Sequence, residues 1–253
     1  IPLRLVGSEM CIRDRAMAMQ GSGISGLDVG SVQLKLNDDG FYTLMIGCSD
    51  MGTGCDTILA QMAADGLGCD MDNIIVRGVD TDQSPYDSGS YASSTTYVTG
   101  GAVVKACESM RKRICEEAAA IMGLKSGEVD FDGETISEND NPEHSMTLSD
   151  LITSLEAGNG RIIEVTESHT SPVSPPPFMA GAAEIEVDLE TGKITPINYV
   201  AAVDCGTVIN TNLARIQTEG GIVQGMGMTL YEDCLLYTCP SPRDVEESRV
   251  PSS

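Results

Sequence analysis

The chain has 253 residues, 41% of them hydrophobic, which is enough apolar material for one sizeable or two small buried cores. Its 38 acidic against 15 basic residues, a net charge of -23, would repel a phosphate backbone or an anionic lipid surface, which argues against a nucleic-acid or membrane partner. Trp is absent, Phe occurs three times, no apolar run approaches the ~20 residues of a membrane span, and no secretory segment opens the chain, so base-stacking platforms and a bilayer crossing are excluded and a cytoplasmic location is expected.

In chain order, residues 6–15 (Val-Gly-Ser-Glu-Met-Cys-Ile-Arg-Asp-Arg) read as translated adapter sequence, as do residues 234–244. The expected organisation is therefore 1–15 non-native, 16–170 a first lobe, 171–233 a second lobe, and 234–253 an adapter-like or disordered tail. Residues 32–36 alternate apolar and polar, Asn37-Asp-Asp-Gly40 supplies a turn, and 41–46 complete a β-hairpin. From Asp56 the spacing turns helical through Leu59, Met62 and Ala63, stopped by Gly66 and Gly68, ahead of a buried strand at 74–79. Val103, Cys107, Met110, Ile114, Ala118 and Ile121 predict a long amphipathic helix ending at Gly123. Beyond it come a strand-like piece over 129–136, a short helix near 148–155 and a strand near 162–165. The proline-rich 171–178 reads as an extended connection. A second hairpin, 183–188 and 197–203 around Glu190-Thr-Gly192, precedes a final helix capped by Asn212 and running to Leu230. The fold class is α/β (mixed α+β), with two similar hairpin–loop–helix lobes around a cofactor cleft.

Several local patterns invite a site and have plainer explanations. Gly21-Ser-Gly-Ile-Ser-Gly26 satisfies G-x-G-x-x-G, yet a strand follows it where a dinucleotide fingerprint must open a helix, so a nicotinamide-binding oxidoreductase is a weak alternative. Asp80-Thr-Asp-Gln-Ser-Pro-Tyr-Asp87 begins like a calcium loop but has Pro85 at its sixth position and Tyr91 at its twelfth, and a capped turn accounts for Asp80, Asp82 and Asp87. Nine cysteines with no Cys-x-x-Cys and only His144 and His169 beside them argue against a zinc or iron–sulfur site and for reduced thiols.

Three loops stand apart. Met51-Gly-Thr-Gly54 offers uncluttered N–H groups at a positive helix end, suited to an anion or pterin, although a tight capped turn has the same sequence. Residues 88–100 crowd Ser90, Ser93, Ser94, Thr95, Thr96 and Thr99 into a stretch with almost no charge, more hydroxyls than capping a helix needs. Gly220, Gly221, Gly225 and Gly227 sit in a helical pattern at about 1 kcal/mol each relative to Ala, which points to close approach by a flat ligand or by another backbone.

Taken in this order, Asp50–Thr57, Ser88–Gly100 and Gln217–Gly227 resemble the second half of the molybdenum-cofactor-binding region of the xanthine dehydrogenase and aldehyde oxidase family; Asp204-Cys-Gly-Thr-Val-Ile-Asn210 and Val187–Gly192 also fit. The resemblance covers nearly all of 16–233 and is nearest to bacterial xanthine dehydrogenase-like or purine hydroxylase subunits. It implies Gly52, Thr53, Gly54, Ser90, Ala92, Ser93, Thr95 and Gln224 as cofactor-binding, with Ala92 close to the metal. Thr53 stands where the family commonly has glutamine, and Thr211 where proline is common. The implied cofactor is molybdopterin with molybdenum, as molybdopterin cytosine dinucleotide, with 2Fe-2S and FAD on partner subunits or domains. The implied reaction is hydroxylation of an N-heterocycle such as a purine, or of an aldehyde, with water as oxygen source and electrons passed to the iron–sulfur and flavin partners. The family's general-base glutamate and its first cofactor loop fall outside 16–233. No catalytic residue is therefore assigned, the missing N- and C-terminal parts of the subunit count as partners, and the isolated chain is expected to be inactive. A non-catalytic cofactor-site scaffold or assembly module is the rival reading.

Overall fold

A computed structural model describes residues 9–232 of the chain. The elements in order are β1 (Glu9–Met19), β2 (Val29–Leu36), β3 (Tyr42–Ile46), α1 (Cys55–Leu67), β4 (Ile74–Gly78), α2 (Thr95–Met122), β5 (Val129–Phe131), β6 (Thr135–Glu138), β7 (Asn141–Thr147), α3 (Leu148–Asn159), β8 (Ile163–Thr170), β9 (Phe178–Asp188), β10 (Ile194–Asp204) and α4 (Thr211–Leu230). This is the mixed α/β class the sequence predicts. The chain divides into two units that interleave, one of residues 18–178 with 204–210, the other of 9–17, 179–203 and 211–232 among the described residues, in contrast to the consecutive lobes expected. Residues 234–253, read above as a tail, lie outside the described residues.

The larger unit is built on a four-stranded sheet of order β4-β3-β2-β8. Strands β2 and β3 form the expected antiparallel hairpin, with Leu34 opposite Leu44. Alternate side chains Val32, Leu34, Leu36, Tyr42, Leu44 and Ile46 fall on one face and are almost wholly buried, the period-2 pattern of a half-buried sheet. Against that face lie α1, through Leu59, Ala63 and Leu67, and α2, through Val103, Ala106, Met110, Ile114 and Ala118. α1 is the crossover joining β3 to the parallel β4. β4 is only partly buried, at the sheet's edge, rather than the buried strand expected.

Small residues let α2 lie close. A Cβ on Gly30 would fall 2.5 Å from the Thr99 Cα, one on Gly101 2.5 Å from the His169 ring, and one on Gly66 2.9 Å from the Cys107 Cβ. The far end of α2 is tied by Glu117, 8% exposed, which receives Arg161 at 3.1 Å and Arg113 at 3.5 Å. Both α1 and α2 stop at glycines in the left-handed region, Gly68 (φ 76) and Gly123 (φ 74).

The stretch expected as one strand over 129–136 is two, β5 and β6, in a three-stranded sheet with β7. Asp132 turns the chain by accepting the N–H groups of Glu134 at 2.9 Å and Thr135 at 2.8 Å, and Gly133 (φ 117) leaves no room for a side chain beside Gly68. The exposed, unalternating β7 has no apolar pattern to betray it. β8 runs five residues beyond the predicted Val165, to Thr170, because it pairs with all of β2.

The smaller unit carries a sheet of order β1-β9-β10 and the helix α4. Residues 9–15, read above as foreign, supply part of β1, where Arg13 pairs with Glu184 of β9 at 2.6 Å. The β9–β10 hairpin turns as predicted, with the Asp188 carboxylate accepting from Glu190 and Thr191 and Gly192 at φ 72. α4 begins at Thr211, one residue before the expected cap Asn212, and buries none of its residues. Among the described residues no helix is long and apolar enough to cross a membrane.

Candidate cofactor-binding loops

Between β3 and α1 the chain turns through residues 47–54. Gly47 is packed where a Cβ would sit 2.3 Å from the Pro85 carbonyl oxygen, and Gly52 (φ 100) and Gly54 (φ 75) adopt left-handed backbone. The N–H groups expected to be uncluttered are engaged: the Asp50 carboxylate accepts from Gly52 at 2.9 Å and from Gly54 at 3.1 Å. Partial burial acts to raise the pKa of that carboxylate, but backbone N–H groups of Gly52, Gly54, Asp56 and Thr53 together outweigh it and hold the group below its ordinary value. An internal carboxylate thus lies just ahead of α1, although no side chain caps the helix itself. Asp50, Cys55 and Asp56 also bring three ligand atoms within 4.8 Å of one another, but Asp50 is committed to the turn and the Cys55 thiol donates to Asp56 Oδ1 at 3.7 Å. The Thr53 hydroxyl has no hydrogen-bond partner among the described residues.

The second loop, 88–94, enters α2 differently. Ala92 (φ 50) and Ser93 (φ 57) are consecutive non-glycine residues in the left-handed region, a conformation costing on the order of 1 kcal/mol or more each and kept only where the surroundings impose it. What imposes it is visible. The Ala92 carbonyl accepts the Gly23 N–H at 2.7 Å, and the Tyr91 hydroxyl donates to Asp28 Oδ1 at 2.5 Å, whose other oxygen accepts from the Ile24 N–H at 2.6 Å. Asp28 is 1% exposed, and its hydrogen bond is the first cause of the Tyr91 phenol's raised pKa. Ser88 pairs with Val29 through both its N–H and its hydroxyl, and Asp87 accepts from the Gly89 N–H and the Thr99 hydroxyl. The glycines of 21–26 therefore brace this loop, between β1 and β2, and open no helix.

Four hydroxyls of the Ser/Thr run are structural. Ser88 accepts from Val29, Ser94 donates to the Gly89 carbonyl, Thr99 to Asp87, and Ser90 to the Ser49 carbonyl at 3.0 Å, which joins this loop to the 49–54 turn. The rest are free. Among the described residues the hydroxyls of Ser93, Thr95 and Thr96 and the N–H groups of Ala92 and Ser93 have no partner, and no side chain caps α2. A 28-residue helix thus starts with its unpaired donors and dipole unscreened, among exposed or half-exposed neutral hydroxyls.

Gly52, Thr53, Gly54, Ser90, Ala92, Ser93 and Thr95 are therefore brought together on the larger unit, whereas Gln224 belongs to the smaller one, exposed on α4. Among the described residues a Cβ on Gly220, Gly221 or Gly225 would meet nothing within 4 Å, so these three α4 glycines serve no close packing there. Asp80 caps its own turn, accepting the Asp82 N–H at 3.0 Å, as the sequence predicts. Asp28, Tyr91 and Asp50 are the positioning groups that sequence reasoning does not single out. Two open hollows of the larger unit, one including Asn37, Leu155 and Arg161 and the other Met45, Arg77 and Asp80, include no residue of either loop.

Residues 14–239 match the family described as the molybdopterin cofactor-binding domain. The probable hypoxanthine oxidase XdhD of Escherichia coli K12 is 31% identical over 243 residues, covering 94% of this chain and 25% of that protein. Among solved structures, the aldehyde oxidoreductase of Desulfovibrio desulfuricans ATCC 27774 superposes with a TM-score of 0.68 at 26% identity, over 89% of this chain and 23% of that one. Quinoline 2-oxidoreductase of Pseudomonas putida 86 shares the fold, with a TM-score of 0.76 at 22% identity over 87% and 30%. The chain spans about a quarter of the length of the curated relatives it matches.

Proposed function

The chain belongs to the molybdopterin cofactor-binding domain family, and from that premise we propose that it is part of a molybdenum hydroxylase subunit that hydroxylates an N-heterocycle such as a purine, or an aldehyde, with water as the oxygen source. The name of the hypoxanthine oxidase relative supports a purine-like ring. In this reading the electrons leave through 2Fe-2S and FAD partners, the cofactor is the cytosine dinucleotide form of molybdopterin, and the enzyme works in the cytoplasm. The two ends of the subunit beyond this chain complete the active site and bring the general base.

The observation that carries the proposal is the uncapped start of α2 beside the left-handed pair Ala92–Ser93. The residues fit the group. A pterin is flat, rich in hydrogen-bonding edges and linked to phosphate, and the loop offers it neutral hydroxyls from Ser93, Thr95 and Thr53, free N–H groups from Ala92 and Ser93, and a positive helix end. Gly52 and Gly54 contribute space rather than donors, because Asp50 already holds their N–H groups. Ser90 fixes the spacing of the two loops through Ser49. Gln224, which lies on the smaller unit, is retained as a cofactor-binding residue on the family resemblance alone. When bound, the cofactor supplies Lewis-acid activation and the two-electron chemistry. The chain's own part is to hold and orient it, with Ala92 keeping the metal side free of bulk.

The test is made on the full-length subunit, recovered as the complete reading frame and purified with its partners. Molybdenum and pterin content near one per subunit is expected, falling at least about tenfold in Ser93→Asp, whose added negative charge would oppose an anionic cofactor held by this loop. Full occupancy in that variant would overturn the site. Full occupancy in wild type with no turnover on purines or aldehydes would favour the scaffold reading.

A further inference from the structure

The larger unit carries positive charge on a face that the cofactor loops do not use. α1 and α2 cover the side of the four-stranded sheet bearing Leu34, Leu44 and Ile46, so the side with Lys35 on β2, Thr43 and Met45 on β3 and Arg77 on β4 looks outward. Lys35 is level with Thr43, and Met45 with Arg77, which sets the two cations diagonally across the central strand. The turn after β4 closes one rim. The result is a hollow of about 430 Å³ whose lining includes Gln83 and Ser84 beside those four residues, a volume within the range of small-ligand sites.

The charges there are unspent. Arg13, Lys112, Arg113, Lys125, Arg161 and Arg215 each reach a carboxylate within 4.0 Å. Lys35 and Arg77 have no ion pair or side-chain hydrogen bond among the described residues, in a chain where acidic residues outnumber basic ones 38 to 15. Glu164 stands opposite Lys35 on β8 and makes no ion pair with it. The only carboxylate of the lining, Asp80, is turned to its own loop, where Oδ1 accepts the Asp82 N–H at 3.0 Å. Ser84 Oγ accepts the Asp80 N–H at 3.1 Å and keeps its proton to donate, and the exposed Gln83 amide has no partner among the described residues.

We propose that this hollow binds a phosphoryl dianion, either inorganic phosphate or the phosphate group of a small ester. Arg77 offers a planar fork of donors suited to two phosphate oxygens, and Lys35 a point charge from the opposite rim. Gln83 and Ser84 add neutral donors from the loop. A tetrahedral group directs oxygens to both rims at once, whereas a planar carboxylate presents its two oxygens on one side. The body of an ester lies along Thr43 and Met45, between the two cations. The site stands whether or not the function proposed above does, because none of its residues belongs to the cofactor loops.

The experiment titrates the full chain with inorganic phosphate and with ribose 5-phosphate at about pH 8, where both are dianions, at constant ionic strength, and follows the amide resonances. The expected result is a saturable shift centred on Lys35, Arg77 and Gln83. Arg77→Gln and Lys35→Gln each weaken binding about tenfold, the scale of a lost charge-assisted bond, whereas Lys112→Gln, which removes the same charge from α2, leaves it within about twofold. Both site variants lie on the outward sheet face and keep the wild-type unfolding midpoint without phosphate, so a lost site is told from a lost fold. Tighter binding of ribose 5-phosphate assigns the site to an ester, and equal or weaker binding to free phosphate. Shifts that do not saturate, shifts spread over unrelated basic residues, or full affinity in both site variants would overturn the site. Succinate binding as tightly as phosphate would overturn the phosphoryl class.

Discussion

The turn at 49–54 and the loop at 88–94 face the same difficulty, the unpaired N–H groups at the start of a helix, and answer it in opposite ways. Neither helix has a side-chain cap, but before α1 Asp50 folds back and takes the N–H groups of Gly52 and Gly54, which sets a carboxylate just ahead of the helix. Before α2 the nearby carboxylates, Asp28 and Asp87, hold the loop from behind through Tyr91, Ile24, Gly89 and Thr99, and the donors of Ala92 and Ser93 are left outward. The first arrangement is complete in itself. The second is rigid and unfinished, which is what a binding loop requires: the backing groups absorb the strain so that the free donors do not relax onto the protein.

The sharpest way to break this contrast is to disturb the backing of the second loop without touching its face. Gly30→Ala places a Cβ 2.5 Å from the Thr99 Cα and 2.7 Å from its N, against backbone that cannot swing aside. Overpacking of this kind costs roughly 1–3 kcal/mol, read as a lower denaturant midpoint at unchanged slope. The matching change in the first turn, Gly52→Ala, meets no neighbour within 4 Å and carries only the strain of its positive φ, about 1 kcal/mol. Equal losses from the two would mean that α2 can shift, and that the loop ahead of it is less fixed than the geometry indicates.

Asp28→Asn comes next. It keeps the shape but sets an amide where two donors, the Tyr91 hydroxyl and the Ile24 N–H, converge on a buried carboxylate. A loss of about 2 kcal/mol is expected, the scale of a buried charged acceptor partly removed. Tyr91→Phe, which removes one of the two bonds at a more exposed end, should cost less, and thermal unfolding of the two variants side by side checks the order.

These residues mark the boundary of what the sequence discloses. The hairpin, both large helices and their glycine stops were legible, because apolar periodicity and Gly at helix ends report local energetics directly. The proximity of the first two loops was legible only through the family resemblance, since the Ser90–Ser49 bond spans 41 positions and leaves no local pattern. No local pattern gives Asp28 or Asp50 a positioning role in a chain this acidic, and nothing in Tyr-Ala-Ser foretells two left-handed residues without glycine. The α4 glycines point to close approach by a flat ligand or another backbone, and among the described residues a Cβ on Gly220, Gly221 or Gly225 would meet nothing within 4 Å, whereas one on Gly227 would lie 2.9 Å from Glu232 Oε1.

Removing the internal anion sharpens the comparison from the other side. Asp50→Ala removes the acceptor of the Gly52 and Gly54 N–H groups just ahead of α1 and should cost about 1 kcal/mol, the scale of hydrogen bonds to an exposed charged group. Because the folded pKa of Asp50 is depressed, its contribution is complete above the unfolded value of about 3.9 and is lost as pH falls through the lower folded value. Wild type and variant should therefore differ by a constant amount from neutral pH to about pH 5 and converge in stronger acid. A difference that persists at pH 2 would mean that Asp50 acts through packing and not through charge.

The smallest expected effect on stability is also the most discriminating. Ala92→Gly removes a left-handed alanine, and relief of that strain, offset by the wider freedom of glycine in the unfolded chain, should leave the larger unit more stable by about 0.5–1 kcal/mol. If the strain served folding alone, no other property would change. If it serves the cofactor, the same substitution loosens the Ala92 and Ser93 donors, and the full-length subunit should release its pterin faster while melting higher. A variant that gains stability and keeps its cofactor would show that the left-handed pair is a by-product of the bond between Ala92 and Gly23. One that gains stability and loses cofactor would show that the conformation is held against its own preference for the ligand's sake.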